Sequence, residues 1–367
     1  MKTPLRKMVK QLLAFLTFYS GFLSLYLYLK RRLSSLPDFT ILMYHRVLNL
    51  EHSKENRLPP GMVTGEGTFD RQMRYLKKIS NVISLEALIG LLQNKKRLPP
   101  RSVVITFDDG WRDNYLFAFR ILKKYDLPAT IFLSTDYIGT SKMFWFQVVN
   151  FILQTRALTT QKMSDILSRF EQISPKEKRS IVQSFAFEDQ FIERLKKIKP
   201  DVQEEMIGEM INESKLGWNE IDGRRWMLDW EEIKKMGESQ ISFGSHARSH
   251  RILNYLALAE VKKELIESKQ VIEEKIKGPA NFFAYPNGDF TPQIKDLVKE
   301  TGYLGACAVR KTGNKQDEID LFALPRIGIH EGTSTGIGGK FSKALFACQL
   351  AGFFVRKRRE YERSAGN

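Results

Sequence analysis

The chain has two cysteines in 367 residues, Cys307 and Cys348, and no C-x-x-C spacing. That excludes a disulfide scaffold and a thiolate-ligated zinc site, and leaves the redox compartment open. Histidine is scarce too: His45, His52, His246, His250 and His330 are the whole set. No internal repeat, low-complexity run or phosphate-cradling glycine loop occurs, which excludes repeat arrays and the usual phosphoryl-handling loops. Charge is unbalanced, at net +16. Anionic lipid or an acidic glycan suits that balance as well as nucleic acid does, and no nucleic-acid signature accompanies it. With 43% hydrophobic and 27% charged residues the composition is that of a folded globular chain of one large or two ordinary domains.

Charge is also missing locally. From Gln11 to Leu29 no residue is charged, while Lys2, Arg6, Lys7 and Lys10 precede and Lys30, Arg31 and Arg32 follow. As one helix those nineteen residues would span roughly 28 Å, close to a bilayer core. No small-residue cleavage site follows, and no cysteine is there for a lipid anchor, so an uncleaved membrane-associated helix over 1–36 is expected. Its small face, Ala14, Thr17, Gly21 and Ser24, suits helix packing in lipid or the wetter side of an interfacial helix. The alternative is a buried helix of a soluble protein. Basic residues on both flanks give no orientation. At the other end Ala344 to Val355 is uncharged and runs into Arg356-Lys357-Arg358-Arg359. The stretch 336–367 is expected to be an amphipathic helix and basic tail, packed on the protein or laid on anionic headgroups.

What is present is a rhythm of apolar strands and amphipathic helices. Thr40 to His45, Ser102 to Phe107, Ala129 to Ser134, Ile241 to Phe243, Asn281 to Ala284, Leu304 to Val309 and Phe322 to Ile329 read as strands. Helices are expected between them, among them Phe69 to Ile79, Leu85 to Leu92, Trp230 to Met236, Leu256 to Ile276 and Thr291 to Thr301. Another, Asp113 to Tyr125, should turn Leu116, Phe119, Ile121 and Leu122 inward. Strand–helix–strand units with short joins predict an α/β fold of parallel strands closed into a deformed (β/α)7-type barrel over 37–335. At about 144–225 the rhythm yields to a charged, helix-favouring stretch with no linker around it, which predicts a helical insertion.

Two strands deliver polar groups at their C-terminal ends. Ser102-Val103-Val104-Ile105-Thr106-Phe107 runs straight into Asp108-Asp109-Gly110. Adjacent carboxylates at the mouth of a buried strand repel each other and lose solvation, so a cation is the natural compensation. The plainer reading is a turn, with Asp113 or Asn114 capping the next helix. Ile241-Ser242-Phe243-Gly244-Ser245 leads into His246, with His250 four residues on. In a parallel barrel both strand ends face one rim, so Asp109, His246 and His250 could meet as two histidines and a carboxylate with open positions. That set suits zinc, and also cobalt, nickel, manganese or iron. Tyr285-Pro286-Asn287-Gly288 forms a rigid turn that could aim a backbone N–H into the same space.

With these residues in place the chain resembles the polysaccharide deacetylases of the NodB-homology type, carbohydrate esterase family four. The resemblance rests on Thr106-Phe107-Asp108-Asp109-Gly110, on Ser245-His246 to Ser249-His250, and on Tyr285-Pro286-Asn287-Gly288, and covers about Thr40 to His330. It implies metal-dependent removal of acetyl from an N-acetylhexosamine-containing polysaccharide or glycolipid, with Asp108 as general base and Asp109, His246 and His250 as metal ligands. Two departures stand out. The family often has an arginine where this chain has Ala284, and Arg326 is the candidate replacement. The late Leu-x-His motif that supplies the acid has no clear counterpart. Leu42-Met43-Tyr44-His45 is similar to the start of circularly permuted exopolysaccharide deacetylases, which makes His45 the expected acid and His330 the second choice. The missing arginine also admits a decayed relative that only binds carbohydrate. The ends of the chain and the resemblance together imply a membrane-associated protein of a bacterial cell envelope, its side unassigned.

Overall fold

The computed structural model describes residues 2–33, 37–50, 60–216, 225–309 and 319–354. Seven parallel strands form its centre: β1 (Phe39–Tyr44), β2 (Ser102–Phe107), β3 (Ala129–Leu133), β4 (Ile241–Ser245), β5 (Phe282–Ala284), β6 (Gly305–Val309) and β7 (Leu324–Gly328). Each pairs with the next from β2 to β7, and β1 sits between β7 and β2, so the sheet closes on itself. Every residue of β2 and β3 is buried, as expected of strands covered on both faces. The closure is uneven. β3 meets β2 only at Thr106 and Phe107, and a two-residue strand, Asn81–Val82, fills the gap against Ser102 and Val103. Leu42, Tyr44, Ile105, Phe107, Ile131 and Phe243 belong to the main core.

The helix after Asp108-Asp109-Gly110 departs from expectation. It opens as a π-turn, Asn114–Ala118, before Phe119–Tyr125 continues in α form. The extra residue in that turn rotates the inward face, so Ala118 and Ile121 are buried while Leu116 is 41% exposed. Asp113 makes no side-chain cap. Its carboxylate instead accepts from Arg46 Nε at 2.7 Å and from the Val47 N–H at 3.0 Å.

Between β3 and β4, ahead of the helix Trp230–Gly237, the described residues of the insertion form the helices Trp145–Thr155, Thr160–Ser168, Pro175–Ser184, Glu188–Leu195 and Pro200–Ser214. They pack on a core of their own that includes Val149, Ile152, Met163, Phe191, Met206 and Met210. Thr159 and Ser174 cap two of them through N–H groups three residues on. Residues 217–224, at the end of this stretch, lie outside the described set.

The N-terminal segment is not one helix. It forms α1 (Lys2–Tyr19) and α2 (Phe22–Leu33), bent by 70°. Gly21 takes φ +79°, a left-handed conformation that ends α1, and the Phe22 N–H bonds to Ser20 Oγ. No single described helix is long and apolar enough to cross a membrane; the single helix expected over 1–36 is instead a bent pair whose two halves reach that length and apolarity only together. Of the small face only Ala14 is buried, while Gly21 and Ser24 are exposed; Ala14 and Leu23 pack against Ala344, Leu345, Ala347 and Cys348 of the C-terminal helix, Lys343–Leu350. The basic run after Val355 lies outside the described residues.

Candidate metal centre and active site

The site is built on the C-terminal ends of β2, β4 and β7. Past Phe107 the chain must turn sharply to present two carboxylates. Asp109 adopts φ +79° and Gly110 φ +84°. The left-handed conformation favours glycine at Gly110, and a Cβ there would also push on Ile138 Cδ1, 2.7 Å away. Asp108 and Asp109 are 2% and 1% exposed, and their environments differ.

Asp108 faces Arg326. Nη1 donates to Oδ1 at 2.6 Å and Nη2 to Oδ2 at 2.8 Å, the fork geometry that suits a buried carboxylate. Nη1 also reaches Thr106 Oγ1, and the Phe132 ring lies 5.4 Å from the guanidinium carbon. Burial pushes the Asp108 carboxyl up, but the adjoining Arg326 charge outweighs it and leaves the group below the usual carboxylate range. The guanidinium that Ala284 does not supply therefore comes from β7.

Asp109 faces two histidines. Its Oδ1 is 3.5 Å from His246 Nε2 and 3.2 Å from His250 Nε2, and the three ligand atoms lie within 4.8 Å of one another. His246 Nδ1 lies 2.7 Å from the Ala284 carbonyl oxygen. Only an N–H satisfies that contact, so neutral His246 turns the lone pair of Nε2 toward Asp109. Burial pushes the His246 imidazole down to about 4, which keeps it neutral near pH 7. Asp109 Oδ1 is a buried oxygen with no hydrogen-bond donor. A carboxylate oxygen facing an imidazole lone pair is what a divalent cation would reconcile, so the donor set fits a metal of the zinc type.

Two groups that the motifs did not reveal hold this arrangement. Trp111 Nε1 donates to Asp109 Oδ2 at 2.7 Å, leaving Oδ1 for the histidines. The indole is covered in turn by Arg46, whose guanidinium carbon lies 4.4 Å from the ring centroid. Glu264, on the long helix Leu258–Ile276, accepts from the Arg248 and Ser249 N–H groups and from Ser249 Oγ, all within 2.8 Å. It thereby fixes the loop between the two histidines. Trp111 stood next to the Asp-Asp-Gly turn and could have been suspected; Glu264 carries no local signal.

The remaining expected residues divide. His45 follows β1, half-buried, next to Tyr44, whose carbonyl accepts from the Asp108 N–H at 3.0 Å. His330 starts the short helix Glu331–Ser334, where its N–H and carbonyl both bond to Thr333 Oγ1. The four residues after it are not the exposed loop the sequence suggested. Thr333 and Ser334 are buried, because Glu331 accepts from the Gly65 N–H and Thr68 Oγ1 and Ser334 accepts from Gln72. Tyr285 is fully buried, with its hydroxyl on the Phe322 carbonyl. Pro286 opens a short turn in which Asn287 takes φ +58°. Asn287 Oδ1 accepts from Lys196 of the helical insertion, and Phe144 and Phe146 pack against His250, so that insertion walls one side of the site.

Comparison with known proteins places this geometry. The sequence model of the polysaccharide deacetylase family matches residues 95–184 and 186–306, more than half of the chain. YxkH of Bacillus subtilis (strain 168), provisionally named a polysaccharide deacetylase, is 22% identical over 307 residues, 83% of this chain and 76% of its own. The poly-beta-1,6-N-acetyl-D-glucosamine N-deacetylase of Staphylococcus epidermidis is 40% identical over 74 residues, 20% of this chain and 25% of its own. The Streptococcus pyogenes deacetylase PplD, solved in complex with acetate, is similar in fold. It has a TM-score of 0.52 and 18% identity, covering 82% of this chain and 96% of that one. By that family match the chain belongs to the polysaccharide deacetylases, hydrolases of the N-acetyl amide bond.

Proposed function

We propose that the protein is a metal-dependent N-deacetylase acting on a glycan or glycolipid that contains N-acetylglucosamine. The convergence of Asp109, His246 and His250 beside the Asp108–Arg326 pair carries this reading. The staphylococcal relative, which deacetylates poly-beta-1,6-N-acetyl-D-glucosamine by name, supports the choice of sugar. A divalent cation held by the three ligands would supply Lewis acidity toward the acetyl carbonyl and acidify water. Zinc is the first choice for this ligand set, with cobalt, nickel, manganese or iron as alternatives.

Asp108, kept ionised by Arg326, accepts a proton from the attacking water. The turn at Tyr285, Pro286 and Asn287 would supply a backbone N–H near Asn287 to the oxyanion, since Pro286 has none and the Tyr285 N–H donates to the Cys307 carbonyl. An amine leaves poorly without a proton, and His45 is the proposed donor. His45→Ala should leave metal content unchanged and lower turnover by about two to four orders of magnitude. Near-normal turnover in that variant, with loss in His330→Ala, would move the role to His330. The reading of a decayed, carbohydrate-binding barrel drew on the missing arginine at Ala284, and Arg326 on Asp108 removes that support. Acetate measured against phosphate release from a panel of N-acetylated and phosphorylated glycans tests the assignment. Phosphate release, or no product with metal supplied, would sink it.

Trp111→Phe removes the hydrogen bond that orients Asp109 while keeping an aromatic ring beneath Arg46. Metal affinity, read by competition with a chelator, should fall roughly 10–100-fold. Unchanged affinity would show that the indole only packs.

A further inference from the structure

We propose that α1 and α2 dock the protein flat on an anionic membrane surface, without crossing it. The pair exposes a broad apolar face: Leu5, Leu12, Leu16, Tyr19, Phe22 and Leu25 are each 54–65% exposed. Leu5, Leu12, Leu16 and Tyr19 recur at the spacing of one helix face, and the patch runs on to Phe353, whose ring packs on Tyr26. An exposed apolar surface of this extent requires a partner. Charge selects the partner: residues 1–33 hold seven lysines and arginines and no aspartate or glutamate. Apolar outward faces on a segment that is basic throughout, even with Lys30 and Arg31 paired to Asp38, match an interfacial helix on anionic headgroups, and tyrosines are at home at that depth.

The fold also says how the pair lies. It is pinned to the folded domain along its inner side, at Gln11 to the Ile337 N–H, at Ala14 and Leu23 on the C-terminal helix, and at Lys30 and Arg31 on Asp38. Spanning would carry a 70° break through the bilayer and strip Ala14 and Leu23 from their buried seats. Lying in the interface does neither.

The test uses the full chain with vesicles of phosphatidylcholine alone or with about a third phosphatidylglycerol. Flotation should show binding to the mixed vesicles at least about tenfold tighter than to the neutral ones, weakened by salt. Leu12→Glu/Leu16→Glu should cut binding at least about tenfold, with the thermal melt and acetate release from soluble oligomers unchanged. Tryptophan placed at Leu12 or Leu25 should be quenched by bromines near the headgroups. Quenching at the bilayer centre would mean a span and overturn the proposal. So would failure to bind either vesicle, or a dimer in plain buffer that the double variant dissociates, since a second copy would then be the partner.

Discussion

Asp109→Ala should leave the protein without bound divalent metal and without detectable acetate release. The proposed ligand set, among the described residues, has three protein atoms, and Asp109 Oδ1 is the one that both histidines face. Its loss removes the anionic member, so two neutral imidazoles would have to hold a dication in a buried space, against a large desolvation cost. His246→Ala should behave alike, because no other nitrogen is oriented there by the Ala284 carbonyl. Elemental analysis of the purified variants reads this directly. A second readout is thermal: metal at about 100 times its dissociation constant should add roughly 2.7 kcal/mol to the wild type and nothing to either variant. Stoichiometric metal retained after either change would falsify the ligand assignment.

Arg326→Met should remove most activity and destabilise the barrel. The substitution leaves the Asp108 carboxylate buried with its strongest partner gone, at a cost of about 3–5 kcal/mol. Burial then loses its strongest opponent, and the Asp108 carboxyl should rise from below to above its ordinary range. The sign follows. In the wild type the folded value is depressed, so the stabilisation is present above the unfolded value of about 3.9 and is lost as pH falls through the lower folded one. In the variant the folded value is raised, so ionised Asp108 costs stability at neutral pH and the deficit shrinks as acid protonates it. Wild type and variant should therefore converge in stability toward pH 4, and the acid limb of kcat/KM should move upward in the variant. Arg326→Met/Asp108→Leu should recover stability but not turnover. A single variant whose acid limb stays put would show that Arg326 is not what holds the base.

Much of this site was readable in the chain because parallel strands buried on both faces must be apolar until they end. The change from Val103-Val104-Ile105 to Asp108-Asp109 therefore marked a rim, and so did Phe243 to His246. What escaped has a different physical origin. Hydropathy registers nineteen uncharged residues but not the left-handed turn at Gly21 that divides them. A 3.6-residue period turns Leu116 inward, whereas one π-turn turns it out. The carboxylates of Glu264 and Glu331 fix loops through hydrogen bonds to residues distant in sequence, and a single sequence holds no trace of such pairings. Arg326 was legible only as a guanidinium in search of a carboxylate.

The partnership of Asp108 with Arg326 joins residues 218 positions apart, and β1 is held between an early strand and the last one. On a ribosome adding about 5–20 residues per second, Asp108 exists for roughly 10–45 s before its arginine is made. Through that interval β1 lacks one neighbour, and a buried carboxylate lacks its counter-charge. The half-made barrel is thus both open-edged and electrostatically uncomfortable, and its last strand relieves both conditions at once. Truncations that stop short of β7 should accordingly appear as chaperone-bound or aggregated chains, and not as weak enzymes.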